Sequence, residues 1–392
     1  MPNKIRIVFL IDYFHRTGGT ERHLALLAEW LQKSTFECTI VALDLGANPL
    51  LDRLRALGVR IAEVRLERPY TPGALARAPR LARLIKEARA DIVQTFHQKS
   101  DTYGAIVARL AGVKHIISSK RDTGHLRRPW HFFLNRRLRG LFERVIVVAD
   151  AVAQTAMAND GIDRSRIVRI YNGVDTARFA PPAADEALAA RQAVGVGPED
   201  FVVGMVAGFR PEKNHDVFFA ALTQALPQIP TLKALCVGAG PLLDHYREAI
   251  GKGPLAGRVV FAGDSAEVSR YLRAMDVGCL VPGNNEGFSN AILEKMATGL
   301  PLVVTDVGGN AEAVAQGVNG LVIRPMDSPA LTGSLVGLYR DPDKRRAMAR
   351  KSRQIAEEKF SLRAMCEEHV RLYSSLVPAP RASAADLASL KG

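Results

Sequence analysis

Twice along this 392-residue chain, short apolar runs alternate with stretches of helical periodicity, and that alternation limits the fold more than any other feature. A strand covered on both faces is apolar at nearly every position, and a helix between two such strands lets them pair in parallel. The first series predicts strands at Ile5–Ile11, Cys38–Leu43, Ile61–Val64, Ile92–Thr95, Ile116–Ser118 and Arg144–Val148. Helices are expected at Glu21–Lys33, Leu50–Leu57, Leu75–Ala88, Asp101–Ala111 and Asp150–Asn159. A second series places strands at Phe201–Val206, Ala234–Val237, Val259–Phe261, Val277–Pro282, Leu302–Thr305 and Gly320–Ile323, with Asp216–Ala225, Ala330–Tyr339, Lys344–Lys359 and Ser361–Leu376 as helices. The fold class is therefore α/β, with two domains of ordinary size.

The stretch from Glu286 to Glu294, E-G-F-S-N-A-I-L-E, sets two carboxylates eight positions apart across a Gly-Phe-Ser-Asn turn. A buried strand precedes it, and a helix over Ala291–Thr298, stopped by Gly299 and Pro301, follows. Ser289 is the expected N-cap, so first-turn amides without intrahelical partners face the space beyond the strand. An anion suits that place. Glu294 lies one turn behind, on the face of Asn290, where a carboxylate fits the hydroxyls of a ribose.

This spacing resembles the E-x7-E motif of the retaining family 4 glycosyltransferases. The resemblance runs to about Leu376 and implies the GT-B fold: two facing Rossmann-like domains, an interdomain cleft and a C-terminal crossover helix. It places an N-terminal acceptor-binding domain at 1–177, closed by R-I-Y-N-G-V-D at Arg169–Asp175, and a nucleotide-sugar-binding domain at 178–360. The crossover helix is 361–376, and the remainder, 377–392, is expected to be a disordered tail.

The resemblance also assigns roles. Gly287, Phe288, Ser289 and Asn290 would bind the donor diphosphate, Glu294 the ribose, and Glu286 the transferred sugar. In V-A-G-F-R-P-E-K-N, Val206–Asn214, Lys213 matches the family's lysine, while the usual arginine position holds Gly208 and leaves Arg210 as the replacement. A fixed cation here stabilises charge that develops on the leaving diphosphate. Gly18 and Gly19, in T-G-G-T-E-R, resemble the glycine pair facing acceptor and donor phosphates, and an ordinary strand–helix turn explains the same letters. His97, in Q-T-F-H-Q-K-S-D, would contact the transferred sugar, and Lys120, Arg121 and Asp122 are acceptor-side candidates. His97, Glu286, Lys213 and Arg210 form the catalytic set. No cofactor and no metal are expected, because no Asp-x-Asp stands beside a strand end.

The net charge of +13 gathers partly in Arg121, Arg127, Arg128, Arg136, Arg137 and Arg139, around Trp130–Leu134. An anionic inner-leaflet surface is the preferred partner, and a solvated basic helix with inward aromatics is the alternative. No zinc spacing, RNA-binding aromatic signature or helix-turn-helix pattern supports nucleic acid. The expected partners are thus a nucleotide sugar and a glycan or lipid-linked acceptor. The four cysteines show no metal spacing and read as buried thiols. The opening apolar run is short and broken by Asp12, and no run approaches the length of a bilayer span, so a cytoplasmic location is expected. A GT-B-fold epimerase or phosphorylase and a basic nucleic-acid-binding protein remain rival readings.

Overall fold

The computed structural model describes residues 4–15, 18–124 and 127–377. It divides into two units, residues up to 171 with those from 365 onward, and residues 172–364. Thr17 and the expected tail beyond residue 377 lie outside the described residues.

The first unit carries seven strands: β1 (Ile5–Ile11), β2 (Phe36–Ala42), β3 (Arg60–Glu63), β4 (Ile92–Phe96), β5 (His115–Lys120), β6 (Arg144–Val147) and β7 (Ile167–Arg169). They pair in parallel in the order β3-β2-β1-β4-β5-β6-β7. The second unit carries six: β8 (Phe201–Val206), β9 (Leu232–Val237), β10 (Val259–Gly263), β11 (Val277–Leu280), β12 (Leu302–Thr305) and β13 (Gly320–Ile323). Their order is β10-β9-β8-β11-β12-β13, again parallel throughout. Strands β4 and β11 are buried at every position, as strands in a sheet covered on both faces are, and β4 encloses the polar Gln94 and Thr95 among its apolar residues.

Helix His215–Ala225 shows how such a cover forms: Val217, Phe218, Ala221, Leu222 and Ala225 make one buried stripe at helical spacing. Phe218 is fully enclosed with Met205, Cys236 and Leu331 in the same cluster, and truncating it to alanine would cost about 3–5 kcal/mol. Strand β7 was not expected as a strand. It is a three-residue edge whose pattern is one buried, one intermediate and one exposed residue, too short for a periodicity to show.

The helix Leu362–Leu376 ends in the first unit, as the crossover topology requires. Tyr373 is fully buried there, donates to Gln94 Oε1 of β4 at 2.5 Å, and packs edge-on against Phe36 at 6.0 Å between centroids. All four cysteines are buried free thiols.

Strand order reverses once in each sheet, between β1 and β4 and between β8 and β11. At a reversal the connections leave toward opposite faces, which opens a crevice at the C-terminal ends of the two strands. Gly18 follows β1, His97 follows β4, Arg210 and Lys213 follow β8, and Glu286 follows β11. The sequence motifs therefore occupy the four loops at the two switch points.

Candidate functional site

In the second unit, the loop after β8 turns through a short 3-10 segment, Pro211–Lys213, and Asn214 adopts the left-handed conformation at φ 56°. That turn delivers Lys213 to the loop after β11, where Nζ donates to Glu286 Oε2 at 2.6 Å. The backbone joins the same two loops, with Gly283 N donating to Glu212 O at 3.2 Å. Arg210 is exposed, and its Nε lies 3.9 Å from where a β-carbon on Gly208 would stand. The Arg210 side chain thus runs back toward Gly208.

Helix Asn290–Ala297 begins where the motif predicts. Ser289 is its N-cap residue, but its hydroxyl makes no capping hydrogen bond, so the cap does not consume the first-turn donors. The turn is instead held from 118 positions away: Asn172 Nδ2 donates to Asn290 Oδ1 at 2.8 Å and to Phe288 O at 2.9 Å. Glu294 is buried on this helix. Beside it Lys295 is fully buried, its stem crossing Gly278 of β11, where a β-carbon would meet Lys295 Cδ at 2.4 Å. Burial lowers the Lys295 ammonium to about 8, against the opposing pull of Glu294.

In the first unit, Asp12 closes β1 and accepts from the amides of Lys99 at 2.8 Å and Ser100 at 2.7 Å, tying the loop after β1 to that after β4. Burial raises its carboxyl to about 6. His97 sits at φ 75°, a left-handed conformation that a histidine seldom adopts, and its ring stacks on Tyr13 at 4.7 Å between centroids. Burial pushes its pKa down to about 4, so the ring is neutral at pH 7. Gly18 is the N-cap of helix Gly19–Gln32, and any β-carbon there would fall 2.5 Å from Glu21 Oε2. Glu21 is buried, and its charge acts on the guanidinium of Arg121, whose pKa burial lowers to about 9.

Residues 17–178 match the family model Glycosyltransferase Family 4, and residues 200–341 match Glycosyl transferases group 1. A lipopolysaccharide core biosynthesis mannosyltransferase of Rhizobium meliloti (strain 1021) is 30% identical over 268 residues, 66% of this chain and 71% of that protein. The chain belongs to the family 4 glycosyltransferases. An Escherichia coli UDP-Gal:alpha-D-GlcNAc-diphosphoundecaprenol alpha-1,3-galactosyltransferase is 29% identical over 277 residues, 67% of this chain and 69% of that enzyme. Among solved structures, Anabaena Alr3699/HepE in complex with UDP superposes with a TM-score of 0.84 at 24% identity, covering 95% of this chain and 100% of that one. The GT-B fold is thereby established.

Two expectations for this glycosyltransferase need correction. Lys120 is not an open contact: it is 4% exposed at its side chain, held by Asp101 at 2.7 Å and Asp160 at 3.2 Å. A lysine at a strand end reads as exposed, but two carboxylates distant in sequence enclose it. Of the basic cluster, Arg136 donates to the carbonyls of Ala158 and Asn159 at 2.7 and 2.8 Å, capping the helix Asp150–Asp160, and Arg127 pairs with Asp160 at 3.1 Å. Neither is a freely placed surface cation. Asp122 is exposed and accepts from Gly124 N at 2.6 Å. Sequence reasoning missed Asn172, although it stands inside the R-I-Y-N-G-V-D segment, and missed Lys295, which gives no signal beyond following Glu294.

Proposed function

We propose that this glycosyltransferase is a retaining, metal-independent enzyme. It moves a hexosyl group from a nucleotide-diphosphate sugar to a hydroxyl of a lipid-linked or polysaccharide-precursor glycan. The observation that carries the reading is the Lys213–Glu286 ion pair of 2.6 Å, set between the two switch-point loops of the second unit. Lys213, the first-turn amides after Ser289 and the folded-back Arg210 supply the positive field that a diphosphate needs. Glu294 takes the ribose hydroxyls. Glu286 exchanges Lys213 for a sugar hydroxyl when donor arrives.

As the bond from the anomeric carbon to the diphosphate oxygen breaks, charge grows on the leaving group and Lys213 stabilises it. The acceptor hydroxyl attacks the same face, and its proton passes to the departing phosphate oxygen. No side-chain base is required. On the first unit, neutral His97 is suited to donate to or accept from a sugar hydroxyl. The relatives support the donor and acceptor classes: one is a mannosyltransferase of lipopolysaccharide core biosynthesis, and one is a UDP-Gal-dependent galactosyltransferase of a diphosphoundecaprenol-linked sugar. The test is a nucleotide-sugar panel followed by NMR of the product. Retained anomeric configuration is expected, and inversion overturns the reading.

Trp130 and Phe133 favour peripheral attachment to an anionic leaflet. They are 47% and 61% exposed, and Tyr70 meets Trp130 edge-on at 5.9 Å between centroids. Neither ring is a buried core residue, which supports the surface reading. Among the described residues no helix is long and apolar enough to cross a membrane.

A further inference from the structure

A hollow of about 800 Å³ opens in the first unit among Arg136, Arg137, Arg139, Arg166, Gly140 and Gly161. Its walls are the chain just before β6 and just before β7, so it lies at the entry edge of the sheet, opposite the loops that carry His97. The donor-site reading does not use it.

Four guanidiniums line it, and three of them donate to carbonyl groups. Arg136 bonds Ala158 O and Asn159 O, Arg139 Nη1 bonds Arg136 O at 2.9 Å, and Arg166 Nη1 bonds Arg139 O and Phe142 O at 3.3 and 3.1 Å. Arg137 lies over the Phe133 ring at 5.1 Å. Carbonyl partners fix these side chains without neutralising them. The one carboxylate in the lining, Asp163, accepts from Ser165 N at 2.8 Å and Ser165 Oγ at 2.5 Å. Helices Pro129–Leu138 and Asp150–Asp160 both end at the rim, and each C-terminus carries about half a negative charge. After these and Asp163 are subtracted, about two positive charges remain in excess.

The backbone at Gly161 and Gly140 leaves the hollow open. Gly161, at φ 67°, would place a β-carbon 3.5 Å from Arg136 Cγ and 3.7 Å from Arg139 Nη1, and one on Gly140 would meet nothing within 4 Å. Planar arginine forks around a cavity of ligand size can each engage two oxygens of a tetrahedral phosphate.

We propose that this hollow binds a phosphate-bearing anion, either a phospholipid headgroup or a soluble pyrophosphate-type ligand, at a site separate from the donor site. The full chain would be titrated calorimetrically with inorganic pyrophosphate and with short-chain phosphatidic acid below its micelle concentration. Because the donor reading also gives pyrophosphate a place at Lys213, the titrations are run on a Lys213→Met background as well. A pyrophosphate site should persist in that background, weaken with added salt, and lose affinity about tenfold or more in Arg137→Gln/Arg139→Gln, the scale of one charge-assisted hydrogen bond. Arg137→Gln alone, at the arginine that lies over the Phe133 ring, should weaken it in the same direction with an unchanged melting temperature. Whichever of the two probes binds more tightly names the source. Equal affinity in the arginine variants, binding abolished by Lys213→Met, or binding of neither probe overturns the proposal.

Discussion

A β-carbon on Gly308 would lie 1.8 Å from the carbonyl oxygen of Glu286. Gly308 also stands at φ 58°, and the next residue, Gly309, donates its amide to Gly287 O at 2.7 Å. The loop after β12 therefore presses backbone to backbone on the loop that bears Glu286. Thr305 Oγ1 adds a bond to Pro282 O at 2.8 Å, at the root of the same loop. The position of Glu286 is thus fixed from behind by glycines.

Gly308→Ala should consequently displace Glu286 without touching any ligand. The positive φ alone predicts a loss of about 1–3 kcal/mol in unfolding free energy. Donor affinity should fall with it, since Phe288 and Asn290 ride on the displaced turn. Urea unfolding and nucleotide titration measure the two effects. Lower stability with unchanged nucleotide affinity would show that the loops are independent.

The Lys213–Glu286 pair gives the two carboxylates different signatures. Glu294→Ala removes ribose contacts, so bare nucleotide diphosphate should bind about 1–3 kcal/mol more weakly. Glu286→Gln frees Lys213 for the diphosphate, so bare nucleotide should bind at least as tightly while transfer falls. Lys213→Ala should lower kcat by roughly 10²–10³-fold, the scale of one lost transition-state donor. Calorimetry in which both carboxylate variants weaken the bare nucleotide equally contradicts this division.

Much of this arrangement was legible because the chemistry-bearing residues lie in loops that follow strongly apolar strands. β8, β12 and β13 have the boundaries expected from their runs, and the four switch-point loops carry the glycines and charges that announce them. What escaped was non-local. Asn172 reaches Asn290 across 118 positions, and Lys120 meets Asp160 only once β5 and the helix Asp150–Asp160 have packed. Gly308 reads as an ordinary turn glycine until the Glu286 carbonyl is seen against it. Trp130 and Phe133 resisted for a different reason: an aromatic pair on a ten-residue helix serves a core or a surface equally well.

The buried histidines set a pH dependence. Burial holds His97, His215 and His369 down at about 4, and His23 well below its ordinary value. As pH falls below about 6.5 the unfolded chain takes up protons that the native state refuses, so stability is full above that value and lost toward pH 4. Asp12, raised to about 6, works the other way, because the native state keeps its proton where the unfolded chain has released it. Among these five groups the balance is up to three protons, about 4 kcal/mol per pH unit at the steepest. His215, stacked on Phe209 at 4.2 Å, has no hydrogen-bond partner at either ring nitrogen among the described residues. His215→Phe should therefore flatten the profile of melting temperature against pH by about one proton, and an unchanged slope would locate the sensitivity elsewhere.

Charge neutralisation by Lys213 and helix amides predicts indifference to chelators. Initial rates in EDTA should equal those in magnesium. Activity lost on chelation and restored by Mn²⁺ would assign the diphosphate to a metal instead.

Attachment to a leaflet should depend on the exposed aromatics and the cations beside them. Tyr70, Trp130 and Phe133 lie open, Leu75 is 74% exposed, and Arg137 stands over Phe133. Arg127 is neutralised by Asp160, and Arg136 keeps its charge but is tied down on the helix Asp150–Asp160, so the cations free to move onto a surface beside the rings are Arg128 and Arg137, at about 1 kcal/mol each near an anionic leaflet. Two such charges give weak, salt-sensitive binding, and inserted rings must supply the rest. The protein should sediment with anionic vesicles at low salt and only partly leave them at high salt. Trp130→Ser with Phe133→Ser should abolish the salt-resistant fraction while nucleotide binding stays intact. Equal sedimentation with neutral and anionic vesicles would remove the arginines from the account. No sedimentation with either would leave the aromatic face without a membrane and favour a water-soluble acceptor.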